Sequence, residues 1–251
     1  MTPDLQNLKD NIPPWLKRFI KQTGRGINHF GMIKEGDAIL LGISGGKDSL
    51  ALALALSFRK TWIPIDYAIE AVQIEWREYP FSDSHKNDLA AFFNFLDIPF
   101  QILQASMFPP SFKGRFDCYL CSRNRKRILF QEAEKRKIEK IALGHHMDDI
   151  VETTLINLFF RGNFSTMMPV QEFFKGKLHI IRPLCEVPES MISTVSSRLG
   201  LPAGENSCPN KETNLRTQIK PIIRELVKMD RHVRENIYNA PWNINKDYLP
   251  S

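Results

Sequence analysis

No stretch of this chain is apolar for long enough to cross a bilayer as a helix. Its first ten residues, Met1 to Asp10, lack the apolar core of a secretory leader. Both absences make the cytoplasm the expected location and argue against a membrane partner. Internal repeats and low-complexity tracts are missing as well, which argues against a solenoid. Cysteine is scarce: Cys118, Cys121, Cys185 and Cys208 are the four in 251 residues. A cytosolic chain does not keep these as structural disulfides. The Walker spacing Gly-x-x-x-x-Gly-Lys-Ser/Thr is also absent. What is present is an ordinary globular composition, 43% hydrophobic and 25% charged, sufficient for one α/β domain with appendages or two small domains. The net charge of +6, with a pI of about 9.1, suits a polyanionic partner without requiring one.

The hydrophobic pattern alternates between strand and helix. Strands are predicted at 38–43, 66–74, 100–104, 139–143 and 178–182, and helices at 47–59, 84–97, 119–137, 148–160 and 188–199. This rhythm predicts an α/β fold, a doubly wound, mostly parallel sheet with N- and C-terminal helical extensions. The expected divisions are a helical extension over 1–30, the α/β domain over 31–185 and a helical region over 186–251. In the first, Pro13 and Pro14 suit a helix start, Trp15, Leu16, Phe19 and Ile20 share a face, and Gly24 suits the stop. In the last, a helix is expected over 215–236, with Pro221 as its start or a kink. The tail from Pro241 is expected to be poorly ordered or pinned by Trp242. Irregular stretches are expected at 104–117, 161–176 and 200–214.

The apolar run Ala38 to Ile43 ends in Ser44-Gly45-Gly46-Lys47-Asp48-Ser49, and a helix follows. Glycines let the backbone approach a ligand, and the unpaired N–H groups of a helix start attract phosphate. Ser44 and Ser49 add hydroxyls. Asp48 repels phosphate by itself, so it is expected to act through magnesium. A second strand ends in Gly144-His145-His146-Met147-Asp148-Asp149, again opening a helix. Those aspartates also suit helix caps, and His146 suits a structural role. Arg123, Arg125, Lys126 and Arg127 form a basic cluster, with further cations at 135–140 and 216–234. These are either polyanion contacts or solvated helix faces. Cys118 and Cys121 open the basic helix, where a positive helix end and arginines favour thiolate. Three ligand sets stay open: a 4Fe–4S cluster on Cys118, Cys121 and Cys208 with one open iron, a four-cysteine zinc site including Cys185, or a redox C-x-x-C pair. Cys185 otherwise reads as a small buried apolar residue.

The Ser44–Ser49 loop resembles the pyrophosphate loop (PP-loop) of the ATP-pyrophosphatase superfamily, whose fold is adenine nucleotide alpha hydrolase-like. The Gly144–Thr153 segment resembles the second signature of its tRNA-modifying branch. Together with Cys118-x-x-Cys121-Ser122-Arg123 and Ile181-Arg182-Pro183-Leu184 in this order, they resemble the tRNA 2-thiocytidine synthetase family over residues 25–235. The resemblance implies ATP with Mg2+, a 4Fe–4S cluster on Cys118, Cys121 and Cys208, tRNA as substrate, a sulfur donor such as a cysteine desulfurase, and a homodimer. It places Ser44, Gly45, Gly46, Lys47, Asp48, Ser49, Gly144 and His145 at the nucleotide, and Asp48 and Asp148 at magnesium. It gives Lys47, Asp48, His146 and Asp149 catalytic roles and docks RNA on Arg123, Arg125, Lys126 and Arg127. A pyrimidine carbonyl would be adenylated, then displaced by sulfur with release of AMP. The chain departs from the family in having a single cysteine, Cys208, in a segment that usually carries a C-x-x-C pair. Two other classes fit parts of the pattern: a PP-loop enzyme adding sulfur or an amine to a small molecule, and a non-catalytic zinc-stabilised RNA-binding protein.

Overall fold

The computed structural model describes residue 8 and residues 11–108, 118–204 and 215–248. Contacts divide the chain into two compact units, each discontinuous in sequence. The first comprises Met1–His146 and Pro169–Cys208, and the second Met147–Met168 and Pro209–Ser251.

The first unit is built on a sheet whose described strands run in the order β3-β2-β1-β4-β6-β5. The strands are β1 (Asp37–Ile43), β2 (Tyr67–Trp76), β3 (Phe100–Ala105), β4 (Lys140–Leu143), β5 (Val170–Phe173) and β6 (Leu178–Ile181). All neighbours pair in parallel except β5 with β6. Strand β5 lies inside the stretch expected to be irregular. It is four residues long and pairs only at the sheet edge, too short to leave an alternating pattern.

Both sheet faces are covered, which explains the near-continuous apolar strands. Helix α2 (Lys47–Lys60) is buried at every residue from Ser49 to Leu56. On one face, Leu40, Val72, Ile74, Trp76 and Ile141 pack with Leu129, Ala133 and Ile138 from helix α4 (Cys118–Arg136) and its exit. Helices α3 (Asp83–Phe95) and α6 (Glu189–Leu199) complete the layers with α1 (Pro14–His29). Helix α1 begins at the two prolines as expected, but it does not stop at Gly24. Gly24 and Gly26 lie inside it because other groups come close there. A Cβ on Gly24 would sit 3.3 Å from the Arg59 guanidinium, and one on Gly26 would sit 3.3 Å from Cys185 Sγ. Arg59 also donates to Asn28 Oδ1 at 2.7 Å, which fastens α1 to α2. Cys185 is fully buried, as a small apolar residue would be.

The second unit contains α5 (Met147–Arg161), α7 (Leu215–Met229) and α8 (Val233–Asn239). The helix expected over 215–236 is broken at Asp230–His232, and Pro221 lies inside α7 rather than at its start. Ile219, Ile223 and Tyr238 are buried, and Trp242 packs its ring 5.4 Å from that of Tyr238.

Candidate active site

Strand β1 lies between β2 and β4, so the chain leaves it toward one side of the sheet and returns on the other. At such a switch point the loops at the carboxyl ends diverge and leave a crevice for ligands. The loop after β1 and the turn after β4 meet here.

The loop after β1 is held by its own serines. Ser44 N–H donates to Ser49 Oγ and Gly46 N–H to Ser44 Oγ, each at 3.2 Å, and Ser49 Oγ donates to Gly46 O at 2.9 Å. Gly45 has φ +81°, a conformation that side-chain-bearing residues rarely adopt. The result is a short arc of backbone N–H groups at the start of α2, suited to phosphate oxygens. The turn after β4 closes directly on it. A Cβ on Gly144 would lie 2.8 Å from Ser49 N and 2.9 Å from Asp48 C, so only glycine allows this approach.

That closure brings the buried His146 beside the loop, with Nε2 3.9 Å from Asp48 Oδ1. Lys47 Nζ lies 3.0 Å from Asp48 Oδ1 and 3.0 Å from Glu189 Oε1 of α6. Burial pulls the Lys47 pKa down, but hydrogen bonds to Glu189 and Asp48 outweigh it and the net shift is upward. Lys47 is therefore a fixed cation next to the loop. Asp48 presents one carboxylate there, which matches magnesium's habit of binding one or two carboxylates plus phosphate oxygens. Among the described residues no three His, Cys, Asp or Glu side chains gather as a metal site.

Behind the loop are residues that sequence reasoning did not single out. Gln73 is fully buried, and neither end of its amide has a hydrogen-bond partner among the described residues. Its Nε2 would be 2.8 Å from a Cβ on Gly45. His85 lies next to it, and burial pushes its pKa below 6.5 against a smaller upward pull from Asp88. Gly204 N–H donates to Gly45 O at 3.0 Å. Gln73 and Glu75 are polar residues near the carboxyl end of a strand whose one other charged residue is Glu70, and that is a legible signal. Glu189 had none, since 142 residues separate it from Lys47.

The other expected site residues divide by unit. Asp148 and Asp149 are in the first turn of α5, in the second unit, where a negative charge is favoured by the helix end. There Arg234 Nε lies 3.0 Å from Asp148 Oδ1, Arg216 Nη1 3.5 Å from Asp149 Oδ1 and Lys220 Nζ 3.5 Å from Glu152 Oε1. Cys121, on the first turn of α4, is a free thiol half-buried against the core. Cys208 lies outside the described residues, and of Cys118 only the backbone is described. In the basic cluster, Arg123 and Arg127 are exposed and Lys126 is half-buried. Arg125 instead lies over the Trp76 ring, 5.3 Å from its centroid.

The PP-loop domain family matches residues 16–228, which spans both the loop and the turn. The chain belongs to this family. Within the PP-loop family it stands with the tRNA-cytidine(32) 2-sulfurtransferases. That of Alkalilimnicola ehrlichii is 33% identical over 238 residues, covering 93% of this chain and 75% of the relative. That of Janthinobacterium sp. strain Marseille is 35% identical over 241 residues, covering 93% and 74%. The U34-tRNA thiolase NcsA of Methanococcus maripaludis, solved with its 4Fe-4S cluster, superposes with a TM-score of 0.74 at 20% identity, over 90% of this chain and 77% of that one. It shares the PP-loop fold, a mostly parallel α/β sheet as the strand rhythm predicts. Among the described residues no helix is long and apolar enough to cross a membrane.

Proposed function

We propose that this protein is an ATP-dependent tRNA sulfurtransferase that 2-thiolates a cytidine. The observation that carries the reading is its likeness, over 93% of the chain, to enzymes named for that reaction on tRNA. The loop geometry supports it. Backbone N–H groups from Gly45 to Ser49 receive the phosphates of ATP, and Lys47 balances charge as pyrophosphate departs. The C2 carbonyl oxygen of the base attacks the α-phosphate, and the bond to pyrophosphate breaks. Sulfur at the sulfide level then adds to C2 and AMP leaves, so oxygen is exchanged for sulfur without net electron transfer. His146, buried with Nε2 3.9 Å from Asp48 Oδ1, is the proposed proton carrier at the loop.

Asp48 would hold magnesium, which would neutralise the developing phosphate charge. Asp148 and Asp149 are proposed as further carboxylates that exchange their arginines for a cation. Cys118, Cys121 and Cys208 would hold a 4Fe–4S cluster, which supplies an iron without a protein ligand as a place to carry sulfur. The free, half-buried Cys121 thiol at a helix start fits that donor set. The same reading proposes residues 31–185 as the catalytic segment between helical extensions, a cysteine desulfurase as sulfur source, a homodimer and the cytoplasm as location.

The test is turnover of anaerobically purified protein with ATP, magnesium, sulfide and tRNA, followed by nucleoside mass spectrometry. A thiolated cytidine that needs both ATP and tRNA is the expected result. ATP cleavage that is indifferent to tRNA would overturn the assignment.

A further inference from the structure

The turn 174–177, which joins β5 to β6, has three successive residues with positive φ: Phe174 (53°), Lys175 (57°) and Gly176 (84°). For a bulky side chain this backbone is an outlier, and such strain persists where the surrounding structure or a function requires it. The Phe174 ring is 61% exposed. It is not loose, because it stands edge-on to Phe130 at 5.5 Å, and Phe130 packs against Phe173 at 5.0 Å. An aromatic face is thus held in water on a firm base.

Cations share its Phe130 and Phe173 base and its turn. On α4, Arg123, Lys126, Arg127 and Phe130 recur at the spacing of one helix face. Lys126 Nζ lies 5.4 Å from the Phe173 ring centroid. Burial and the nearby Arg182 both push its pKa down, so an anion there would relieve it. The turn adds the exposed Lys175 and Lys177 beside the exposed Glu172, and the same face of α4 ends in one exposed carboxylate, Glu134, four residues after Phe130. Two copies of this chain meeting here about a two-fold axis would set like charges against one another. A polyanion with flat, unstacked bases matches the patch in both charge and shape. Cys121 is nine residues from Phe130 on the same helix, about 14 Å along its axis.

We infer that the β5–β6 turn and this face of α4 form an RNA-docking surface, with Phe174 stacking on an unpaired base and the cations meeting the flanking phosphates. The inference rests on the tRNA reading above. It is tested by tRNA-binding anisotropy across a salt series, with ATP binding and oligomeric state measured on the same proteins. Phe174→Ala is expected to weaken tRNA binding about tenfold or more, with the salt slope and ATP affinity unchanged. Phe174→Trp is expected to keep binding and to show indole quenching by RNA. The double variant Lys175→Ala, Lys177→Ala is expected to flatten the salt slope by about 1.5. If Phe174→Ala unfolds the protein, Phe174→Gly takes its place, since glycine removes the backbone strain. Unchanged tRNA affinity in the Phe174 variants, with wild type binding normally, would overturn the surface and leave the proposed function standing. A wild type that binds no tRNA would overturn both. Loss of dimer with tRNA affinity intact would assign the patch to a second copy instead.

Discussion

Adding one methyl group at Gly144 tests whether the turn after β4 builds the phosphate loop. The alanine Cβ would lie 2.8 Å from Ser49 N and 2.9 Å from both Asp48 C and Ser49 Cα. All three are backbone atoms at the start of α2, so no side chain can rotate away. Ordinary contact needs about 3.4–4 Å, which forces the two backbones apart by roughly 0.5–1.2 Å. Overpacking of this kind costs about 1–3 kcal/mol. For a chain of this size that lowers Tm by about 2–12 °C. Catalysis should suffer more than stability. A Ser49 N–H that moves by that much loses hydrogen-bond distance to a phosphate oxygen, and misplacement by about 1 Å can cost on the order of a hundredfold in rate. Gly46→Ala is the control for stability alone, since its Cβ would meet only Ser44 Oγ at 3.4 Å while Gly46 itself belongs to the phosphate loop. Differential scanning fluorimetry would be run on both variants, and pyrophosphate release on Gly144→Ala against wild type. Gly144→Ala with wild-type Tm and wild-type KM for ATP would refute the argument that this contact shapes the loop.

Three further outcomes are expected. Glu189→Gln should lower Tm by no more than about 4 °C, because the Lys47–Glu189 pair is one-third exposed and such pairs contribute about 0–1 kcal/mol. Glu75 is 2% exposed, and burial alone would raise its pKa. Hydrogen bonds from Lys86, Phe81 N–H and Gln104 outweigh this and hold it below 4.5. A carboxyl with a depressed folded pKa stabilises the fold above its unfolded value and loses that contribution as pH falls through the folded one. Urea midpoints of wild type should therefore drop below about pH 4.5, and Glu75→Gln should flatten that drop. Finally, Cys121→Ser should deplete iron from anaerobically purified protein, whereas Cys185→Ala should keep it. Iodoacetamide should leave the fully buried Cys185 unmodified in the folded protein.

The sequence makes the parallel strands legible because strands covered on both faces read as unbroken apolar runs, and Ala38–Ile43 ends at the glycines of the loop. It misleads at Gly24, where glycine serves close packing against Arg59 rather than a helix stop. It conceals β5, whose four residues pair only with β6. The break after Met229 is illegible because no glycine or proline marks it, and Asp230, Arg231 and His232 interrupt the helix instead. At the candidate site, the loop and the Gly144 turn announce themselves by composition. The Lys47–Glu189 and Gly45–Gly204 contacts are invisible in sequence because they join residues more than a hundred positions apart. Arg125 illustrates the limit of reading charge in clusters, since it turns inward to Trp76 while Arg123 and Arg127 remain outside.

Helix α1 also sets a timing problem for biosynthesis. Its buried residues Leu16, Phe19, Ile20 and Ile27 are made long before α6, yet α1 packs against both α2 and α6. Gln22 donates to the carbonyl of Glu186, 164 residues downstream. At ribosomal speeds of about 5–20 residues per second, roughly 10–30 s separate the two ends of that contact. During this interval the helix can dock on α2 but not on α6, and one flank of its apolar stripe waits uncovered. Contacts of such long sequence separation slow folding and prolong exposure to aggregation. The nascent chain, rather than the finished protein, is where α1 is most exposed to chaperones and proteases.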